Sequence, residues 1–274
     1  MTAPVLAPVA APVLVPTAPP MPAPTQRPLW EVGVAALGAY SPDYPAAGTQ
    51  RWRGAMAPIV VYRGTRLRVD DEGVRGRLVN TGRFELDLSG AAGFNARNNP
   101  ARDGMPPLDY TFELGPQARY RFVLEDGQQV SAHLKVRAVV STNGKRSHGR
   151  GVVVEPELRW QRRGWPDAAS QVQISTQATW ASEALHDYYY QVDPAYATPT
   201  RPAFDARAGY FGSSLRGSIT RRLNTTTAVS VSGNLSHHGG AANADSPLFQ
   251  RKTTGSVLLA VIWTPWRSEA TAQP

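Results

Sequence analysis

Three groups of side chains in this sequence could do chemistry: hydroxyls beside histidines, paired carboxylates and clustered imidazoles. Ser147–His148 and Ser236–His237 place a hydroxyl next to an imidazole, with His186 and His238 as further bases. A hydroxyl that gives its proton to an imidazole is a nucleophile for acyl transfer. Consecutive side chains of an extended chain point to opposite faces, however, so neither adjacent pair can act as a local dyad. These histidines are expected to be solvated loop residues. Glu155 and Glu157 lie two residues apart on one face, about 6–7 Å between α-carbons, a spacing that a glycosidic carboxylate pair can use. Arg121, Arg137 and Arg159 share their parity, which favours a charge ladder over an acid–base pair. His237-His238 has only Asp245 near it in sequence, without the spaced second ligand of a metal site. The residues thus predict no catalytic group, no metal and no cofactor, in a protein that is not an enzyme.

The charge balance narrows the class of partner. Net charge is +8 and the isoelectric point is near 10, which first suggests nucleic acid. Only three of the 29 basic residues are lysines (Lys135, Lys145, Lys252), and no basic run reaches four residues. The arginines alternate along the chain instead, which predicts an arginine-lined cavity or an anionic lipid surface and no nucleic acid. Gly and Pro stand at 24 each, which disfavours long helices, and there is no cysteine for a disulfide, thiolate or lipid anchor. A mean hydropathy of −0.33 is too polar for a helical membrane protein.

Residues 1–26 carry no charge, but Pro4, Pro8, Pro12 and Pro16 exclude a transmembrane helix. Without a basic start the segment is a poor signal peptide, so an extended polyproline-like tail is expected, with the export signal missing or miscalled.

The elements that must position these residues are strands. In "ASQVQISTQATW", Val172, Ile174, Ala178 and Trp180 oppose Gln171, Gln173, Ser175, Gln177 and Thr179. This period of two recurs from Leu29 onward and predicts twelve strands near 29–40, 52–63, 66–70, 73–79, 82–94, 109–122, 128–141, 149–163, 168–181, 206–221, 224–237 and 254–265. Most exceed the ~9–11 residues that a tilted strand needs to cross a bilayer. Connections alternate between longer and tighter along the chain, which puts long loops at one end and short turns, with both termini, at the other. Glu85, Asp87, Glu113, Arg119, Arg121, Lys135, Arg137, Glu155, Glu157 and Arg159 share one parity class. Facing a dry core they would each cost several kcal/mol, whereas in a hydrated lumen they can pair across strands. The other parity is apolar, with Trp30, Tyr62, Trp160, Trp180 and Trp263 near strand ends as aromatic girdles. The expected fold is all-β: a closed antiparallel transmembrane β-barrel over residues 29–266, between a Pro/Ala-rich tail (1–28) and a C-terminal tail (267–274). Its surroundings would be the lipid bilayer and lipopolysaccharide.

Several segments resemble the MipA/OmpV family of Gram-negative outer-membrane proteins. They are "PLWEVGVAALGAYSPDYPAAGTQRWRGAMAPIVVYRG", "ARDGMPPLDYTFELGP", "HDYYYQVDPAYATPTRPAFDARAGY" and "ADSPLF", spread over residues 28 to 264. The third is the most specific, through Tyr190, Pro194, Tyr196, Pro199, Arg201, Pro202, Phe204 and Asp205. The resemblance implies an outer-membrane barrel that acts as a scaffold linking a lytic transglycosylase to a bifunctional murein synthase. The alternatives are a narrow pore, a small-ligand-binding barrel or an adhesin. Two features depart from the family pattern: the Pro-rich head, and "RSEATAQP" after the last strand, which makes the assembly signal internal near Trp263 or Trp266. The long connection 182–205, stiffened by proline and rich in aromatics, is expected to form a lid over the barrel mouth; the competing reading is a partner surface.

Overall fold

The computed structural model describes residues 28–63, 67–70, 73–76, 79–80, 82–125 and 127–270. The expected N-terminal tail, apart from Pro28, and the tip at Asp71 and Glu72 lie outside the described residues.

One antiparallel sheet contains every strand. In chain order these are β1 Trp30–Pro42, β2 Gln50–Arg63, β3 Leu67–Asp70, β4 Gly73–Gly76, β5 Val79–Asn80, β6 Phe84–Gly93, β7 Tyr110–Glu125, β8 Gln128–Thr142, β9 Ser147–Arg163, β10 Ser170–Ala181, β11 Gly209–Arg222, β12 Thr227–His237 and β13 Thr253–Arg267. Each strand pairs with its neighbour in sequence, except that β4 and β5 do not pair with each other. The first and last strands also pair, from Glu31 opposite Arg267 to Tyr40 opposite Val257. Beyond them Leu29 N–H donates to the Ala270 carbonyl at 2.8 Å, so the fold reaches past the strand end at Arg267. No helix among the described residues is long and apolar enough to cross a membrane.

In place of the expected twelve strands, the described residues form ten long strands and three short segments. The described parts of the predicted strand 73–79 have different partners: β4 pairs with β3, and β5 pairs with β6. The ladder therefore ends at β4 and β5, and it is continuous everywhere else. One cavity touches β1, β6, β7 and β9–β13, so the sheet curls around its own concave face.

Close approach fixes two glycines. A Cβ at Gly33 would lie 1.9 Å from the Trp263 carbonyl oxygen, and one at Gly115 2.0 Å from that of Val136. One connection departs from the expected alternation. The β8–β9 hairpin extends further than expected and turns tightly over 143–146, where Asn143 Oδ1 accepts from the Lys145 and Arg146 amides, both at 3.0 Å. Such asparagine turns stabilise tight reversals, so the strands run on into what looked like loop.

Candidate functional site

The charged parity class meets on the concave face of β6–β9. Asp87 accepts from Arg119 at 3.1 Å and from Gln117 at 2.9 Å. Glu85 holds Arg121 and lies 3.6 Å from Arg119. One rung further, Arg137 bridges Glu113 (2.9 Å) and Glu155 and also donates to Ser89. Glu157 takes Lys135 and, at 2.7 Å, Arg159. Arg119, Arg137 and Glu157 are each at most 3% exposed, so their charges are held by one another rather than by bulk water. In such surroundings a satisfied network rigidifies the structure, while an orphaned member is costly. Neither Glu155 nor Glu157 is left as an acid–base pair, because both are engaged by cations.

The concave face of β10–β13 is different. Gln171, Gln173, Ser175, Gln177, Thr220, Ser230 and Ser232 are buried there and neutral. Arg216 is the exception: it is 6% exposed and lies opposite Ser175 on β10 and Asn234 on β12. Sequence reasoning missed it, although its parity with Ser218 and Thr220, against Leu215 and Ile219, was legible. A cavity of about 100 Å³ separates the two walls, with Glu113 and Glu155 on one side and Arg216, Asn234 and Ser236 on the other.

Above the cavity the long connections pack into a lid. Ser182 is followed by helix α1, Glu183–Tyr190, then by a turn at Pro194–Tyr196 and a β-bridge between Val192 and Phe204. Tyr188, Tyr189 and Tyr190 form an apolar cluster with Tyr44, Leu108, Phe211 and Leu248. Hydrogen bonds tie the four long connections together: Tyr44 OH to Leu248 O (2.8 Å), Tyr190 OH to Pro45 O (2.9 Å) and Tyr188 OH to Asp109 O (2.9 Å). Asp43, 1% exposed, is held by Arg53 and by Asn99 Nδ2 at 2.7 Å. Burial pushes the Tyr188 phenol up to about 12 and raises Tyr44, Tyr189 and Tyr190 above the usual phenol range, so all four stay neutral and Tyr44, Tyr188 and Tyr190 keep their donated bonds.

The signature residues divide within this lid. Tyr190 is its buried anchor, while Pro194, Pro199, Pro202 and Asp205 are exposed. Tyr196 and Phe204 pack half-buried against the apolar cluster. Arg201 clasps the lid from outside, donating to the carbonyls of Tyr196, Ala101 and Asp103 at 2.8–3.2 Å. Folded in this way, the connection covers the cavity with its aromatic cluster.

The expected solvation of the histidines holds for His148 and His237 only. His186 is 0% exposed, with Nε2 donating to Gly209 O at 3.2 Å, and His238 is 5% exposed, with Nδ1 donating to Phe211 O at 3.0 Å. His186 belongs to lid helix α1 and His238 lines the cavity beneath it, so neither is in open loop, and burial lowers the pKa of each, which keeps them neutral. No group of three or more His, Asp or Glu residues able to hold a metal occurs among the described residues.

The convex face is the apolar one. Phe112, Leu114, Leu134, Leu158, Ile174, Leu215 and Leu259 are all 46% exposed or more. Of the expected girdle, Trp30, Trp160 and Trp263 stand at the tight-turn end and Trp180 at the lid end. Trp52, absent from the sequence reading, joins the lid-end group against Tyr40 at 5.4 Å, as Trp180 does against Tyr210 at 5.5 Å.

Solved structures with low similarity are barrel proteins. An outer membrane channel from Pseudomonas putida F1 is 12% identical with a TM-score of 0.49, over 88% of this chain and 98% of that one. The β domain of the Bordetella autotransporter BrkA is 10% identical with a TM-score of 0.38, over 86% and 99%. The NanC porin is 8% identical with a TM-score of 0.32, over 84% and 99%. None of the curated proteins matches the chain. The family described as MltA-interacting protein MipA matches residues 33–265, nearly the whole folded sheet together with its lid, and the chain belongs to that family.

Proposed function

We propose that this chain is a closed outer-membrane β-barrel with a plugged lumen, serving as a structural scaffold for peptidoglycan synthesis and turnover enzymes. The observation that carries the reading is the inverted distribution of polarity. Large apolar side chains stand on the exposed convex face, and charged side chains fill the concave face. That distribution suits lipid outside and a polar interior, with lipopolysaccharide and phospholipid against the aromatic belts. Seam closure at β4 and β5 is part of the proposal, and the approach of β4 to β6 supports it. The filled interior and the lid argue against an open pore and for a role exercised at the surface.

The family's description names an interaction with MltA, which supports a lytic transglycosylase as one partner and, through the family resemblance, a murein synthase as another. Such partners would approach the tight-turn end. Arg83, Arg163, Arg221 and Arg267 are exposed there; among the described residues Glu125 and Glu269 are exposed carboxylates near them, and Asp167 pairs with Arg221 at 3.4 Å. A basic rim suits an acidic enzyme surface or the carboxylates of murein peptides. Residues 1–27 precede β1 at that end and would take part in the contact.

The test is capture of a purified lytic transglycosylase by the full chain in detergent micelles. Charge reversal at Arg83, Arg163 and Arg221 together should abolish capture, deletion of residues 1–27 should weaken it, and planar-bilayer current should stay at baseline throughout. Undiminished capture by the charge-reversed chain would end the rim assignment. Steady single-channel currents from the intact chain would replace the scaffold with a pore.

A further inference from the structure

We infer that the chamber between the lid and the charge ladder is a binding site for a small polar monocarboxylate, held by Arg216. The inference stands on the cavity, not on any partner at the tight-turn end.

Arg216 is the one inward cation without a partner in hydrogen-bonding or ion-pairing range among the described residues. Every carboxylate near it is already engaged. Glu157 has Lys135 and Arg159. Glu155 has Arg137, Thr179 at 3.1 Å and Gln177 at 3.4 Å. Glu113 has Arg137. Glu155 and Glu157 reach Arg216 only through the longer-range field. A guanidinium that is nine-tenths buried and unpaired is costly to keep, and a ligand or ordered water must satisfy it.

The chamber is built to do so. Its volume of about 100 Å³ admits several water-sized groups. Two amide oxygens on its wall, Gln177 Oε1 and Asn234 Oδ1, are buried without partners. Asn234 Nδ2 lies 2.8 Å from Ser236 Oγ, and since a hydroxyl can donate as well as accept, this amide can turn its NH₂ into the chamber.

The surroundings select the ligand class. A guanidinium fork matches the two oxygens of a planar carboxylate. The hydroxyls of Ser214, Ser236 and Ser256 and the Asn234 amide can hold a second polar group, such as a hydroxyl or amine. Glu113 and Glu155 on the opposite wall repel multiply charged anions, which disfavours phosphate and sulfate. Tyr189 and Phe211 close the top with apolar surface and leave room only for a short carbon chain. A 2-hydroxy acid or small amino acid fits this set.

The experiment titrates the folded full chain in detergent micelles with glycolate, glycolamide and inorganic phosphate at constant ionic strength, read by calorimetry. Heat-modifiable migration on gels verifies folding of each variant. Glycolate should bind saturably, while glycolamide and phosphate should not. Arg216→Gln should weaken glycolate binding at least tenfold. Ser214→Leu, which fills the chamber while leaving the guanidinium in place, should do the same, whereas Ser230→Ala should bind like the parent. If Arg216→Gln does not fold, Ser214→Leu decides. Absence of saturable glycolate binding, equal binding of phosphate, or undiminished binding by Ser214→Leu would each overturn the assignment.

Discussion

The two halves of the concave face solve one problem in opposite ways. On β6–β9 the interior is filled with full charges, each engaged by an opposite one: Asp87 with Arg119, Glu113 and Glu155 with Arg137, and Glu157 with Lys135 and Arg159. On β10–β13 it is lined by neutral amides and hydroxyls, with Arg216 the one buried cation on these strands among the described residues. The charged half excludes space and locks neighbouring strands together. The neutral half gives up less desolvation free energy and leaves room, and the chamber lies against it. Filling with paired charge yields rigidity, and lining with neutral polar groups yields volume.

The largest expected effect falls in the charged half. Glu157→Ala strands Lys135 and Arg159 in the interior, and breaking a buried pair this way costs about 3–5 kcal/mol. Urea unfolding of the reconstituted protein should show it. A loss below about 1 kcal/mol would mean that water already screens this half and that the contrast between the halves is false.

Leu158→Arg tests the reverse face of the same strand. Arginine facing lipid costs about 2–4 kcal/mol at the midplane, so assembly should fall measurably on heat-modifiability gels. Assembly indistinguishable from the parent would reverse the assignment of the faces.

The lid over the neutral half should loosen in acid. His186 and His238 are buried neutral, with folded-state pKa values below the ordinary 6.5. Above that value neither the closed nor the open lid binds the proton. Below it the open form takes up protons that the closed form refuses, so closure weakens as pH falls. The loss is at most about 1.4 kcal/mol per pH unit for each histidine. Limited proteolysis within 182–208 should accelerate between pH 7 and pH 5, and His186→Phe should blunt the response. Cleavage independent of pH would remove the imidazoles from the latch.

The smallest effect belongs to the neutral half itself. Ser232→Ala should change unfolding stability by less than about 1 kcal/mol, because the lost hydroxyl strands no charge. A loss comparable to that of Glu157→Ala would erase the difference between the halves.

Much of this was legible from alternation, because two faces in contact with opposite solvents impose a sharp period of two. The buried positions Glu85, Asp87, Arg119, Lys135, Arg137, Glu155 and Glu157 all follow from it. Arg216 carried the same signal, but it stands between glycine and serine positions that mute the contrast. The lid was legible only as a long aromatic connection, because helix α1 and its cluster depend on Tyr44, Leu108 and Leu248, which come from other loops. His186 and His238 were expected in water since sequence shows which residues occur in a loop, not what folds over them. The tight reversal at 143–146 depends on asparagine side-chain bonds to backbone amides, a local chemistry that alternation does not report.

Pairing of β1 with β13 also imposes an order on biogenesis. Glu31 is among the first residues of the sheet and Arg267 among the last, and they face each other across one ladder. Contacts between such remote positions cannot reward the chain until nearly all of it is present, and their formation is slow by nature. Until then β1 carries an open edge able to template another strand, so a chain stalled in export is an aggregation hazard in proportion to how late it stalls. The same adjacency makes the start of the chain a matter of convention. Joining Ala270 to Leu29 through a short linker and cutting at 143–146 should give a permuted chain with the same ladder and a different edge exposed while it waits.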